Sequence, residues 1–174
     1  MGLSIFLLLP LTGCRETNKQ KAEPSAVTAV SMPEVKPDDF AFSIAFGYGT
    51  TNKNEINTFE HTVTKDLVTK GTATATLTLT NDEMQLIYER MREINVLKEL
   101  KLETASSGCS TTPYSEDRWE VLINGVERNF EWSSEKCELT DDAQQLKELR
   151  DYIFERVSTK KEYIELPEAV GGYD

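Results

Sequence analysis

The chain has 174 residues, 39% of them apolar, with 19 Lys and Arg set against 30 Asp and Glu for a formal net charge of −11. That length holds one domain and a tether, and two Trp, seven Phe and six Tyr supply a packed core. An acidic surface of this size repels nucleic-acid phosphates and anionic lipid headgroups, which sets nucleic acid aside as a partner.

Residues 1–13 carry no charge, and Ile5, Phe6, Leu7, Leu8, Leu9 and Leu11 form an apolar run. The run is too short to span a bilayer and fits the apolar region of a signal peptide. Leu11-Thr12-Gly13-Cys14 then places a branched apolar residue and two small ones before a cysteine. This tetrapeptide resembles the lipobox of bacterial lipoproteins, of the small Gram-positive type. The resemblance implies cleavage before Cys14 and lipidation of its sulfur by acyl chains such as palmitate. The competing reading is a buried N-terminal segment with an incidental cysteine. No Lys or Arg precedes Arg15, so a start upstream of Met1 is expected. One acyl chain holds weakly, so stable attachment implies two or more. The expected location is the extracytoplasmic face of the cell membrane, with the membrane itself a partner through Cys14. Residues 14–38 are polar beyond the cysteine and contain three prolines, the composition of a tether.

The domain is expected over residues 39–166, with 167–174 a C-terminal tail. Phe40, Phe42, Ile44 and Phe46 alternate with small residues, which predicts a half-buried strand. Residues 47–54 read as a loop. A second strand is expected over 58–64 with Phe59, His61 and Val63 on one side, and a turn over 65–71. In residues 72–80, Ala73, Ala75, Leu77 and Leu79 face inward and five threonines outward. The period then changes. Thr80 and Glu83 form a capping box, and Met84, Ile87, Tyr88, Met91 and Ile94 share one helical face. Residues 105–117 read as a long turn-rich loop. Asn124-Gly125 between strand formers predicts a type I′ hairpin pairing Ile123 with Val126, and Arg128 is expected to reach out from its inward face. Thr140 caps a second helix with Asp141 and Asp142 in its first turn. Ala143, Leu146, Leu149, Ile153 and Val157 mark its buried face. Ile164 and Leu166 either add a short strand or dock on the sheet. The order of elements lacks the alternation that parallel sheets require. An α+β fold follows, with an antiparallel sheet of about five strands and two helices packed on one face.

With Cys14 lipidated, Cys109 and Cys137 remain. An oxidising compartment favours a disulfide between them over two free thiols. The closed loop would stabilise by roughly 3–4 kcal/mol. His61 is the only histidine, so Ser-His or Cys-His devices must use it or be absent. No zinc ligand set and no calcium loop stand out, and the acidic pairs at helix starts read as caps. No cofactor, no metal and no catalytic residue is expected. Gly47-Tyr48-Gly49 lacks the phosphate-loop pattern and reads either as a tight turn or as a binding loop. Tyr48 and Tyr114 are the candidate aromatic contacts, each in an exposed loop of the kind that carries function.

The order of strands, LTNDEMQLIYERMREINVL, a long loop, RWEVLINGVERNFEW and a closing helix resembles the emfourin type of small metalloprotease inhibitor, over about residues 40–157. That resemblance implies an inhibitor of a secreted protease and transfers no inhibitory residue. The reading from the residues themselves is a membrane-anchored, non-catalytic module that binds a protein or cell-wall partner. An enzyme is the third class, and its absence of clustered titratable groups in sequence speaks against it.

Overall fold

The computed structural model describes residues 31–51, 53–104 and 108–173. The signal peptide expected at 1–13 and the lipidated Cys14 lie outside the described residues. Six strands form one sheet: β1 (Ala41–Tyr48), β2 (Asn54–Asn57), β3 (Thr62–Asp66), β4 (Thr72–Thr76), β5 (Ser115–Ile123) and β6 (Val126–Ser133). The sheet order is β4-β3-β2-β1-β5-β6, and every neighbouring pair is antiparallel. Helices α1 (Asn81–Ile94) and α2 (Asp141–Ser158) join the sheet's inner face in one core, and a short turn of helix, α3 (Lys161–Ile164), follows. The fold class is therefore α+β, with one strand more than the alternation had suggested.

β1 lies at the centre because its sequence alternates large apolar residues with small ones. Phe42 and Ile44 are fully buried. Ile44 sits opposite Ile56 on one side and Trp119 on the other, Ile56 opposite Val63, and Trp119 opposite Phe130. This row of inward side chains runs across the sheet and meets Ile87, Met91, Leu146 and Ile153 of the helices. Burial at this density is the main stabilising contribution. On the outer face the neighbours of Ala45 are Glu55 and Arg118, and the Thr64 and Thr74 hydroxyls bond each other at 2.9 Å.

The helix ends follow their sequence signals. Thr80 accepts from the Glu83 N–H while the Glu83 carboxylate accepts from the Thr80 N–H at 2.7 Å. Thr140 caps α2 through the Ala143 N–H at 3.1 Å. All five residues named for the α2 core are buried. The hairpin also has the expected register, Ile123 opposite Val126, with Asn124 and Gly125 both at positive φ as a type I′ turn requires. Arg128 reaches from that hairpin to the Lys98 carbonyl at 3.1 Å.

Three expectations need correction. The strand expected over 58–64 is instead a turn followed by β3, and β2 forms just before it from residues to which no element was assigned, apart from Asn54 at the end of the expected loop. Asn57 Oδ1 accepts from the N–H groups of Phe59 and Glu60, both at 3.0 Å. Thr58 Oγ1 accepts from the Phe42 N–H at 2.7 Å and donates to the Phe42 carbonyl at 2.8 Å. Side-chain bonds of this kind bend the chain against its alternation. Of the three residues expected on one side, only Val63 is buried. His61 is exposed at φ 52° in the turn.

Residues 32–38, expected within the tether, instead make contacts with the domain. Met32 is buried against the core, Tyr88 donates its hydroxyl to the Pro33 carbonyl at 2.7 Å, and Arg92 donates to the Glu34 carbonyl at 3.2 Å. An apolar side chain and a buried phenol seeking an acceptor draw this segment onto α1. Asp39 then accepts from the N–H groups of Asn124 and Gly125 at 2.9 and 2.6 Å.

The C-terminal segment docks. Leu166 is buried while Ile164 is exposed, and neither lies in a strand. Beyond them, residues 167–173 form a strap. Val170 bridges to Val68, its N–H donates to the Leu67 carbonyl at 3.2 Å, and its carbonyl accepts from the Thr69 N–H at 3.2 Å. Gly171 has φ 100°, and a Cβ there would stand 3.0 Å from Thr69 Cγ2, so glycine lets the strap lie close. No helix among the described residues is long and apolar enough to cross a membrane.

Candidate functional site

β1 and β5 are antiparallel, so the end of one lies beside the start of the other, with Tyr48 opposite Ser115. The loop after β1 and the loop before β5 therefore meet at one end of the sheet. The Gly49 N–H donates to the Tyr114 carbonyl at 2.8 Å. Between these loops, the middle of α2 and the strap lies a cleft of about 550 Å³, within the size range of small-ligand pockets. The β2–β3 turn that carries His61 and the Asn124-Gly125 turn lie at the opposite end, as the pairings of Ser43 with Asn57 and of Ala41 with Leu122 dictate.

Asp117, Arg150 and Asp66 line the cleft, and Lys53 pairs with Asp66 from outside the lining. Asp117 is on the inward face of β5, opposite Phe46 and Trp132, and is fully buried. Its Oδ2 accepts from Arg150 Nε of α2 at 3.2 Å, and its Oδ1 has no hydrogen-bond partner among the described residues. Burial pushes its carboxyl up from 3.8 to about 6, against the opposing pull of Arg150. The Arg150 guanidinium also lies 5.4 Å from the centre of the Phe46 ring, and Phe46 meets Phe154 edge-on at 5.3 Å.

The second pair is built from three elements. Asp66 ends β3 and is buried. Its Oδ1 accepts from the Val68 N–H at 2.8 Å, and its Oδ2 accepts from the Tyr173 hydroxyl of the strap. Lys53 Nζ donates to that same hydroxyl at 3.0 Å and stands 3.9 Å from Asp66 Oδ1. The hydrogen bond to Tyr173 raises the Lys53 ammonium above its usual range, with Asp66 adding to it and desolvation opposing. The Tyr173 oxygen thus accepts from an ammonium and donates to a carboxylate.

Of the candidate aromatic contacts, Tyr48 lines the cleft. It is 49% exposed and packs at 5.4 Å and 45° against Tyr173. Tyr114 stands behind it, half-buried, with its ring toward Gly49. The two loops are brought together, and Tyr48 alone of the pair faces the cleft. The sequence reading missed Asp117, Arg150, Asp66, Lys53 and Tyr173. Asp117 had a signal, because it continues the alternation of Trp119, Val121 and Ile123 by one step. The other four have none, since β3, α2 and the strap meet only in the tertiary fold.

Cys109 and Cys137 form a disulfide with their Cα atoms 5.9 Å apart. It staples the loop before β5 to the loop after β6, which are also joined by the Thr111 N–H to the Glu135 carbonyl at 2.9 Å. Among the described residues, no group of three or more His, Cys, Asp or Glu is placed to hold a metal ion. Comparisons with protein-family models, curated proteins and solved structures find no match to this chain.

Proposed function

We propose that the chain is a lipid-anchored lipoprotein of the extracytoplasmic membrane face, and that its domain is a non-catalytic binding module whose contact surface is the cleft at Tyr48. The observation that carries the binding role is the convergence of both candidate loops on one end of the sheet, beside a cleft with an exposed aromatic rim. Exposed loops on a rigid scaffold are where recognition concentrates. The carboxylates of the cleft are each paired, Asp117 with Arg150 and Asp66 with Lys53. The anchor rests on Leu11-Thr12-Gly13-Cys14. Met32 is the first of the described residues to pack into the core, and the polar residues that follow Cys14 in sequence suit a tether that holds the module off the bilayer.

The test is co-sedimentation of the detergent-solubilised full chain with delipidated cell walls of a Gram-positive bacterium. The chain should pellet with the walls. Tyr48→Ala should lower the bound fraction several-fold, and Val126→Ala, at the far end of the sheet, should not. Equal pelleting of both variants would remove the cleft from the proposal. The inhibitor reading draws support from the order of elements alone. Stoichiometric loss of activity of a secreted metalloprotease on titration with the chain would favour it, and no inhibition across several such enzymes would end it.

A further inference from the structure

The cleft at Tyr48 has four properties that together narrow its ligand, and the inference from them rests on the cleft being the module's contact surface. The two carboxylates that line it are each paired, Asp117 with Arg150 of the lining and Asp66 with Lys53 outside it, so neither is left free to select a cation. It already holds a hydroxyl in a donor-and-acceptor relay, with Lys53 donating to the Tyr173 oxygen and Tyr173 donating to Asp66. A carboxylate oxygen, Oδ1 of Asp117, is buried at the cleft without a partner among the described residues and calls for a hydrogen-bond donor. An exposed tyrosine face, Tyr48, forms the rim.

A peptide docking by strand addition fits poorly. Such a peptide needs free backbone groups at a sheet edge. Around the cleft, β1 is paired with β2 and β5, and Leu67 and Thr69 are bonded to Val170 of the strap. The free edges, β4 and β6, are at the two sides of the sheet. A neutral sugar meets all four requirements. Each hydroxyl both donates and accepts, so it can supply the donor that Asp117 Oδ1 lacks and take the kind of relay that the Tyr173 hydroxyl already makes. The C–H face of a pyranose carries slight positive charge and matches the negative face of an aromatic ring. A ring with many hydroxyls brings no charge that the cleft must neutralise.

We propose that this cleft binds a neutral glycan, with Tyr48 as the stacking platform and the polar pairs beneath it reading hydroxyl groups. The full chain, in a detergent without a sugar headgroup, is titrated calorimetrically with chitohexaose, cellohexaose and, as a charged polymer, polyglycerol phosphate. At least one hexasaccharide should bind saturably, with a dissociation constant below about 1 mM. Tyr48→Ala should weaken that binding about tenfold, the equivalent of one lost aromatic contact. Tyr48→Trp should restore it to within about threefold, because the stacking face is kept. Binding of neither hexasaccharide, binding of polyglycerol phosphate alone, or equal affinity of wild type and Tyr48→Ala would each overturn the assignment. Wall binding that depends on Tyr48 without any hexasaccharide binding would overturn the glycan and leave the binding module standing. Loss of both would overturn both.

Discussion

Asp117 puts a carboxylate where a core side chain belongs. It shares its inward row with Phe46 and Trp132, and α2 covers it with Arg150. Because burial raises its carboxyl from 3.8 to about 6, the folded chain holds that proton more tightly than the unfolded chain. The associated stability is present in full below pH 3.8 and is lost as pH rises to about 6, after which it stays constant. The size of the change is about 3 kcal/mol. Asp117→Asn removes this titration. Urea unfolding at pH 4 and pH 7 should therefore show the variant gaining on the wild type by most of that amount, about 2.4 kcal/mol, at the higher pH. A difference between the two proteins that does not change with pH would contradict the assignment. The residue was nearly legible, since it extends the alternation of β5 by one position. Asp is a poor strand former, so the strand seemed to open at Arg118. Its partner Arg150 comes from a helix remote in sequence, and no local pattern announces that meeting.

At the scale of elements, the two long helices and the β5–β6 hairpin were written in the sequence because their signals are local. A capping box, a 3.6-residue period and an Asn-Gly turn each act within a few residues. The β2–β3 hairpin was misread for a physical reason. Residues 58–64 alternate as a strand would, yet Asn57 and Thr58 carry side chains that capture backbone groups and force a turn. Thr58 is the stronger of the two. Its hydroxyl holds both the N–H and the carbonyl of Phe42, a fully buried residue of the central strand. Thr58→Val keeps the shape and removes the hydroxyl, leaving the Phe42 N–H without its acceptor. The cost should be about 2 kcal/mol in equilibrium unfolding, the penalty for an unmatched buried donor. A variant as stable as the wild type would show that the turn does not depend on this bond.

For the whole molecule, fold class and the grouping of the cysteines were legible because both follow from global features. The sequence of periods excluded a parallel sheet, and setting Cys14 apart left one pair. The strap was not legible. Its glycines and its polar composition look like an unattached tail, and its hold on the domain depends on Leu67, Thr69 and Asp66, roughly a hundred residues earlier. The cleft it helps to close was invisible for the same reason. The disulfide closes a loop with a sequence separation of 28. Its removal by Cys109→Ser with Cys137→Ser should lower unfolding free energy by about 3–4 kcal/mol, while an unchanged denaturation midpoint would show that the loop is held without it. The proposed work of this domain at a membrane depends on its being held there through Cys14. The most direct measurement is alkyne-palmitate labelling of Gram-positive cells that express the chain, followed by partition between detergent and aqueous phases. The wild type should carry label and enter the detergent phase, and Cys14→Ser should be unlabelled and aqueous. An unlabelled wild-type chain in the aqueous phase, or a Cys14→Ser chain labelled as strongly as the wild type, would contradict it.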